Sequence, residues 1–272
     1  MNRPILLTKE FFPAPGDNFM RNVGDTKNAR ETFLRDKPSN LHFLLKKRYS
    51  WMNNYIDSNE FGIEVGCGSG LSKLFIDSDK FLLTDYSNTD VQPWVQKNVD
   101  ALNMPFEDSS LDYIVSSNMI HHLAKPYIFF DECSRVLKKD GKLIIQEINN
   151  SLMMRAILKI MRHEGYSYDI DVFDKDNICN DPIDVWSANC AIPNLLFDDM
   201  IKFEQNFTFK CIYHEYSEFL IFPLSGGVIA RKRVLNLPEN VLKSIDSLDN
   251  ILIAISKDIF PMQRRMVLKN VK

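Results

Sequence analysis

The sequence predicts an α/β fold in which an open sheet carries a ligand site at one edge. A short apolar strand at 61–65 runs directly into three glycines at alternate positions, 66, 68 and 70, and an amphipathic helical run begins at Leu71. Further strand-like segments at 81–84, 111–117 and 142–148 are separated by helical or irregular stretches. A chain of 272 residues can bury one elaborated core of this kind, so we expect one domain with insertions.

The glycine turn indicates where a ligand approaches the backbone. Glycine lacks a Cβ and tolerates unusual φ and ψ, so a ligand can lie against bare peptide, and the following helix offers N–H groups to an anion. The spacing is Glu64-x-Gly66-x-Gly68-x-Gly70, whereas a dinucleotide fingerprint would need a third glycine at Leu71. The turn therefore argues against a nicotinamide enzyme, and a purely structural turn remains the other alternative.

Composition excludes several classes of protein. The net charge of −3 shows no basic excess that would indicate nucleic acid. The five cysteines lack C-x-x-C or Cys/His ligand spacing, so we expect no structural zinc and a reduced, cytoplasmic protein. The first ten residues contain no signal-peptide core, and the longest apolar run, 219–230, is broken by Pro223 and two glycines. We therefore expect no membrane span.

The segment before the glycine turn divides in two. Residues 1–38 are expected to be irregular, because prolines and glycines punctuate them. A helix is predicted from Ser39 to about Ile56, where apolar residues recur at helical spacing. This helix either only packs against the sheet, or its N-terminal flank, including Phe11, Phe12 and Tyr49, closes over the ligand.

Acidic residues follow two of the later strands. The second strand, 81–84, ends in Asp85-Tyr86, and an acid at this place can accept hydrogen bonds from both hydroxyls of a ribose. The alternative for Asp85 is a turn aspartate that caps a helix. A second acid, Asp100, opens the segment D-A-L-N-M-P-F at 100–106.

The fourth strand, 111–117, leads into Asn118 and a histidine pair, His121 and His122. Ligands of open α/β sheets lie outside the carboxyl ends of the strands, so these residues should face a reactive group. A neutral imidazole is a suitable base near pH 7, and either histidine could take a proton from a substrate. The alternative is a structural pair whose rings bond to a loop.

Four of these segments resemble, in order, motifs of the class I S-adenosylmethionine (SAM)-dependent methyltransferases. They are the glycine turn, the acid at Asp85, the segment at 100–106 with Met104 in place of leucine, and E-C-S-R-V-L-K-K-D-G-K-L at 132–143 with Asp140 replacing one residue. The resemblance covers about residues 58–150. It implies SAM as cofactor, S-adenosylhomocysteine as product, and a Rossmann-like sheet of seven mainly parallel strands with helices on both faces.

The resemblance also implies a set of site residues. Asp100 would accept from the adenine amino group while neighbouring amides frame the ring, and the segment at 132–143 would be scaffold without chemistry. No metal is expected, and Cys67 should pack inside the turn. The implied cofactor-binding residues are Glu64, Gly66, Cys67, Gly68, Gly70, Asp85, Tyr86, Asp100, Ala101, Leu102 and Asn118.

The chain is accordingly divided into an N-terminal arm and helix at 1–57, a SAM-binding core at 58–150 and a C-terminal part at 151–272. The C-terminal part should supply a helix at 192–207, the sixth strand at 208–214, and a seventh, antiparallel strand at 264–270 inserted between the fifth and sixth. Two insertions, 149–189 and 216–260, are expected to cap the site. Candidate substrate contacts in the first insertion are His163, Glu164, Tyr166 and Tyr168.

The function that these patterns favour is methyl transfer to a small-molecule or sugar-containing acceptor, at oxygen. No N-P-P-Y segment follows the fourth strand, which argues against methylation of an exocyclic base nitrogen. The alternatives are a SAM-binding accessory or regulatory protein without transferase activity, an RNA methyltransferase and, more remotely, a dehydrogenase. The sequence leaves the oligomeric state open.

Overall fold

The computed structural model describes residues 8–86, 95–96, 99–162, 164–230 and 232–272. The strands are β1 (Glu10–Phe11), β2 (Gly62–Val65), β3 (Phe81–Thr84), β4 (Val95–Gln96), β5 (Leu111–Ser117), β6 (Leu137–Ile148), β7 (Tyr166–Ser167), β8 (Phe209–Ser217) and β9 (Gln263–Asn270). The helices are α1 (Phe19–Val23), α2 (Thr26–Asp36), α3 (Ser39–Tyr49), α4 (Pro126–Val136), α5 (Leu152–Met161), α6 (Ile192–Phe197), α7 (Met200–Asn206), α8 (Ile221–Leu224) and α9 (Glu239–Ile255). Short 3-10 turns lie at Pro15–Asp17, Ser50–Tyr55, Leu71–Leu74 and Ile120–His122.

Seven strands form one sheet in the order β4-β3-β2-β5-β6-β9-β8. The pairs from β4 to β6 are parallel, and β9 is antiparallel to both β6 and β8. The predicted seven-stranded, mainly parallel sheet is therefore confirmed, with the last strand inserted between the fifth and sixth as expected. The remaining two strands, β1 and β7, form a separate antiparallel pair.

The central strands are buried because helices cover both faces of the sheet. All four residues of β2 are buried, and so are the consecutive residues Tyr113 to Ser116 of β5. On one face the core includes Phe129 and Phe130 of α4, and on the other it includes Leu41 and Leu44 of α3. The carboxyl ends of β2, β3 and β5 consequently meet at one edge of a rigid sheet.

The expectation that residues 1–38 are irregular is wrong, because this stretch contains α1 and the eleven-residue α2. The Asp25 carboxylate caps α2 by accepting from the Asn28 N–H at 2.9 Å, and Lys37 ends the helix in the left-handed region at φ 41°. The prolines and glycines that precede Asp25 made this stretch look irregular, so the N-cap at Asp25 was not recognised. The arm is thus a packed structure that reaches the glycine turn.

The segment after the glycine turn does not form the expected α-helix. Leu71–Leu74 makes a single 3-10 turn, and β3 begins at Phe81 after only six more residues. The connection is too short for an α-helix to form and return to the sheet. The anion site that a helix N-terminus would offer at this turn is therefore not supported.

Two other predicted helices differ from those in the structure. The helix predicted over 39–56 is α-helical only to Tyr49 and continues as a 3-10 turn. The helix predicted over 192–207 is two helices, because Asp199 caps a new helix by accepting from the Lys202 N–H. None of the described helices is long and apolar enough to cross a membrane.

Candidate active site

The glycine turn after β2 adopts a backbone that requires glycine. Gly66 and Gly68 have φ of 63° and 52°, in the left-handed region. A Cβ at Gly66 would lie 2.4 Å from Met119 Cγ, whereas the nearest described atom to a Cβ at Gly68 is Thr26 Cγ2 at 3.9 Å. Gly66 is therefore needed for packing against the turn after β5, and Gly68 leaves open space on the side where a ligand is expected.

Glu64 supports the turn from inside the sheet. It is 1% exposed, and its carboxylate accepts a hydrogen bond from the Ser72 hydroxyl. Burial raises the pKa of Glu64 to about 8, even though the Ser72 hydroxyl acts in the opposite direction. The side chain thus links β2 to the 3-10 turn beneath the predicted cofactor position.

Asp85, at the end of β3, is brought directly against the glycine turn. The Gly68 N–H donates to Asp85 Oδ2 at 2.7 Å, and the Asp85 carbonyl accepts from the Val99 N–H at 3.1 Å. Tyr86 is largely exposed beside it. The Cys67 thiol is buried, which raises its pKa well above the usual range, and this agrees with a packing role rather than a reactive one.

The segment that begins at Asp100 forms a tight loop beside this acid. Asp100 Oδ1 accepts from the Leu102 N–H at 2.8 Å, and the Asp100 carbonyl accepts from the Asn103 N–H at 3.1 Å. Ala101 and Leu102 are partly buried and pack against the core. The Asp100 carboxylate therefore orders its own loop at the carboxyl edge of the sheet.

Helix α4 holds the far side of that loop. Arg135 donates to the carbonyl oxygens of Met104 and Phe106, each at 2.9 Å, and Glu132 Oε1 accepts from the Met104 N–H at 2.6 Å. Arg135 also bonds to Glu132 itself. The segment that sequence analysis treated as scaffold thus fixes the position of the predicted adenine loop.

The turn after β5 is held by a buried carboxylate that sequence analysis missed. Asn118 has φ of 51° and donates its N–H to the Gln146 carbonyl. Glu147 Oε2 accepts from the N–H groups of Met119 and Ile120, at 3.0 and 2.8 Å. The available signal was a carboxylate within the otherwise apolar run of β6, since a buried charge needs several partners.

His121 lies between two carboxylates. Its Nδ1 donates to Glu147 Oε1 at 2.6 Å, and its Nε2 lies 3.6 Å from Glu164 Oε2. Burial lowers the pKa of His121, but the Glu147 carboxylate, with a contribution from Glu164, outweighs burial and raises the pKa to about 10. His121 therefore holds its proton at pH 7 and is unsuited to act as a base.

His122 has the opposite electrostatics. Its Nδ1 donates to the Ser187 carbonyl at 3.0 Å, which leaves the Nε2 lone pair directed toward Glu164 Oε1 at 3.7 Å. Burial and the positive charge of His121 lower the pKa of His122 to about 4. The ring is therefore neutral at pH 7, and its side chain is 22% exposed.

The first insertion lies over this histidine pair. Asn180 Nδ2 donates to the carbonyl oxygens of His121 and Leu123, and the Asn189 N–H donates to the His121 carbonyl. The insertion also contributes Glu164, which is 4% exposed. The segment 164–190 thus covers the turn after β5.

The other candidate substrate contacts of this insertion bond to the protein itself. Tyr166 is fully buried, with its hydroxyl 3.1 Å from that of Thr8. The Tyr168 hydroxyl accepts from Arg155 Nη2 at 2.9 Å. His163 lies outside the described residues. Of the described candidates in this insertion, Glu164 is the one that reaches the histidine pair.

Arg30, on α2, is a second residue that sequence analysis missed. Its side chain is almost fully buried against the glycine turn, and Nη1 donates to the Ser69 carbonyl at 3.4 Å. Its Nε is buried with no hydrogen-bond partner among the residues that the structure describes. A buried guanidinium with spare donor capacity is suited to bind a carboxylate. A capped helix in the arm was the sequence signal that could have drawn attention to it.

Comparison with known proteins identifies the same region. Residues 63–145 match the family model described as a methyltransferase domain. A protein of Encephalitozoon cuniculi (strain GB-M1), provisionally named a methyltransferase, is 31% identical over 112 residues. That match covers 38% of this chain and 51% of the relative, so the chain spans about half the length of the curated relative it matches.

Solved structures share the fold over most of the chain. A SAM-dependent methyltransferase from Archaeoglobus fulgidus is 17% identical with a TM-score of 0.52, covering 84% of this chain and 93% of that one. A chain from the complex between the Haloferax volcanii Trm112 methyltransferase activator and a methyltransferase is 12% identical with a TM-score of 0.50, covering 94% and 99%. At these identities the likeness concerns the fold.

Proposed function

We propose that this chain, which carries a class I SAM-dependent methyltransferase domain, transfers a methyl group to an oxygen of a small-molecule or sugar-containing acceptor. The observation that carries the proposal is the arrangement at one sheet edge. The glycine turn, Asp85 and the Asp100 loop lie together, and a neutral imidazole at His122 lies under a covering insertion at the end of β5. This arrangement combines a cofactor site with a group that can accept a proton.

The residues present fit SAM as the cofactor. The open space above Gly68 accommodates a ligand against bare backbone, and Asp85 is suited to ribose hydroxyls. The spare donor of Arg30 is suited to the methionyl carboxylate. When bound, SAM supplies a methyl group that is already activated for displacement by its sulfonium sulfur.

The protein's own contribution is alignment, exclusion of water and removal of a proton. Positioning of the acceptor oxygen makes the displacement effectively unimolecular. The insertion at 164–190 covers the turn after β5 and is suited to keep water away. His122, neutral at pH 7, is suited to accept the hydroxyl proton, while protonated His121 orients the loop through Glu147.

Two features favour a small acceptor over RNA. The chain has a net charge of −3, whereas binding to a phosphate backbone is driven by lysine and arginine. The insertion also contacts the turn after β5 closely, at Asn180 and Ser187, which favours a confined acceptor. A SAM-binding accessory protein without transfer remains the alternative from another class.

Titration calorimetry of S-adenosylhomocysteine into the tag-free protein tests the cofactor assignment. We expect saturable binding that falls about 10- to 100-fold in Asp85→Asn and in Asp100→Asn, because hydrogen bonds to charged groups contribute about 1.5–3 kcal/mol. Asp140→Asn is the matched control, since Asp140 is exposed with φ of 63°, which asparagine tolerates.

The outcomes of that titration separate the alternatives. No binding by the wild type, or tighter binding of NADH in parallel, would contradict the proposal. Binding without methyl transfer to any of a panel of hydroxylated sugars and metabolites, but with transfer to RNA, would move the proposal to the RNA alternative. Binding without transfer to either class would favour the accessory protein.

A further inference from the structure

Three electron-donating groups converge between the sheet edge and the covering insertion. They are Nε2 of His121, Nε2 of His122 and the carboxylate of Glu164, and one ligand atom from each lies within 4.8 Å of the others. The two histidines come from the turn after β5, and Glu164 comes from the part of the insertion that follows α5. Sequence spacing gave no indication of this group, because Glu164 lies more than forty positions after the histidine pair.

Both imidazoles are held so that Nε2 faces the same point. His121 Nδ1 donates to the Glu147 carboxylate at 2.6 Å, and His122 Nδ1 donates to the Ser187 carbonyl at 3.0 Å. Metal-binding histidines characteristically donate their other ring N–H to a carboxylate or a backbone carbonyl, which fixes the tautomer and the ring orientation. In this chain the carboxylate is that of Glu147, bound to His121, and the backbone carbonyl is that of Ser187, bound to His122.

The separations suit a metal ion. Glu164 Oε2 lies 3.6 Å from His121 Nε2, and Glu164 Oε1 lies 3.7 Å from His122 Nε2. Two ligand atoms each about 2.1 Å from a tetrahedral zinc ion lie roughly 3.4 Å apart. Each nitrogen therefore lies within a few tenths of an ångström of that separation from one Glu164 oxygen, Oε2 for His121 and Oε1 for His122. The ligand atoms of the three residues lie within 4.8 Å of one another, so the donors have to approach by up to about 1.4 Å to surround one ion.

We propose that His121, His122 and Glu164 bind one divalent transition-metal ion, with Zn²⁺ as the favoured ion. Two imidazoles and one carboxylate form a donor set that suits zinc, whereas Mg²⁺ and Ca²⁺ prefer all-oxygen sites. His121 and Glu164 are nearly inaccessible, and the partly exposed His122 marks the open side. The buried Cys190 thiol, 3.4 Å from Glu164 Oε2, supports the orientation of the carboxylate.

In the metal-free protein a proton on His121 Nε2 takes the place of the ion, so binding of the ion releases that proton. The alternative to the proposal is that the proton stays. His121, protonated between Glu147 and Glu164, would then form a buried ion-pair network that needs no metal. The two alternatives differ at His122, because its Nε2 lone pair serves as a ligand only in the metal-bound protein. Removal of His122 is therefore the discriminating change.

The consequence for the acceptor rests on the proposed function, although the metal site itself does not. Three protein ligands leave a coordination position open, and an acceptor hydroxyl bound there would lose its proton more readily. His122 would then act on the acceptor through the ion, in place of the role of base proposed above, and the hydroxyl proton would leave to solvent on the open side of the site.

Titration of Zn²⁺ alone into the chelator-treated, tag-free full chain tests the site without cofactor or acceptor. We expect one equivalent to bind, and we expect the affinity to fall by more than about 100-fold in His122→Gln and in Glu164→Gln. That bound follows because loss of an outer hydrogen-bond partner alone costs about 10- to 100-fold in affinity. Binding should also raise the Tm of the wild type but not that of these variants.

His214→Gln is the matched control. His214 is a partly buried histidine on β8, separated from β5 by β6 and β9, and its replacement should leave Zn²⁺ binding unchanged. Circular dichroism of each variant checks that the fold is retained, and Co²⁺ in place of Zn²⁺ should give visible d–d bands only when the cluster is intact. Equal affinity in wild type and His122→Gln, or no stoichiometric binding by the wild type, would overturn the metal site while leaving the S-adenosylhomocysteine result untouched.

Discussion

The proposed cofactor edge, made of the glycine turn, Asp85 and the Asp100 loop, and the histidine cluster, made of His121, His122, Glu147 and Glu164, both lie at one edge of the sheet. They are assembled in different ways. At the cofactor edge the deciding contacts join neighbouring stretches of chain, such as Gly68 with Asp85, 17 positions apart. At the histidine cluster they join distant ones, such as His122 with Ser187, 65 positions apart. Local spacing therefore predicts the first region, whereas the second exists only after the insertion has folded back.

The two regions also differ in what holds their charges. Asp85 and Asp100 each accept a hydrogen bond from a backbone N–H, that of Gly68 and that of Leu102. Glu147, His121 and Glu164 are nearly inaccessible and depend on one another. A lost partner in the cluster leaves a buried charge, so substitutions there should affect stability, while substitutions at the cofactor edge should affect binding.

The largest effect is expected at Glu147, which accepts hydrogen bonds both from the turn after β5 and from His121. Glu147→Gln keeps the shape but removes the counter-charge of a buried imidazolium, which should lower the free energy of unfolding by about 3–5 kcal/mol. Urea denaturation at pH 7 measures this. Glu239→Gln, which alters an exposed pair with Lys243, should show no resolvable change.

If Glu147→Gln were as stable as the wild type, the cluster would not depend on that charge. The cluster would then resemble the solvent-facing carboxylates of the cofactor edge, where a substitution is expected to affect binding and not stability. If this variant is destabilised but keeps its affinity for the cofactor, after correction for the unfolded fraction, the cluster contributes to stability and the cofactor edge to binding.

An intermediate effect is expected within the glycine turn, where two neighbouring positions serve different purposes. Gly66→Ala combines a left-handed backbone with a contact of 2.4 Å to Met119, so it should destabilise the fold by roughly 3 kcal/mol. Gly68→Ala carries the backbone cost of about 1–2 kcal/mol without that clash, and its new methyl group points into the open space.

Thermal unfolding and S-adenosylhomocysteine titration of both variants separate packing from binding. Gly66→Ala should lose more stability, and Gly68→Ala should lose more affinity relative to its loss of stability. The reverse order would mean that the ligand does not occupy the space above Gly68.

The sequence predicted the sheet and the placement of the glycine turn, Asp85 and Asp100 at one of its edges, because both depend on short-range patterns. The strand that ends in glycines, the acid after β3 and the antiparallel last strand could all be placed from spacing and resemblance. Glu147, Arg30 and the meeting of Glu164 with the histidine pair could not, because each depends on contacts between segments far apart in the chain. The short 3-10 turn after Gly70 was missed although the strand predicted from Phe81 already left only residues 71–80 for a helix and its return to the sheet.

An effect about as small as that of Gly68→Ala is expected from the titration of His122. The pKa values of the two histidines of the cluster shift in opposite directions, so the two residues change the stability of the protein with pH in opposite ways. The folded pKa of His121 is raised to about 10, so its stabilising contribution is present below about pH 6.5 and is lost as the pH rises toward 10. The folded pKa of His122 is lowered to about 4, so the unfolded chain binds more protons between about pH 4 and 6.5 and stability falls as the medium is acidified.

The difference between wild type and His122→Gln isolates this second contribution, since all other groups titrate in both proteins. In metal-free buffer, the wild type should lose on the order of 2 kcal/mol more than the variant between pH 7 and pH 4.5, as measured by urea denaturation at each pH. His214→Gln serves as a second reference, because burial also lowers the pKa of His214 to about 4, but outside the cluster. Parallel curves for wild type and His122→Gln would mean that His122 is as accessible to protons in the folded protein as in the unfolded chain. The cluster would then be open to solvent in the same way as the cofactor edge.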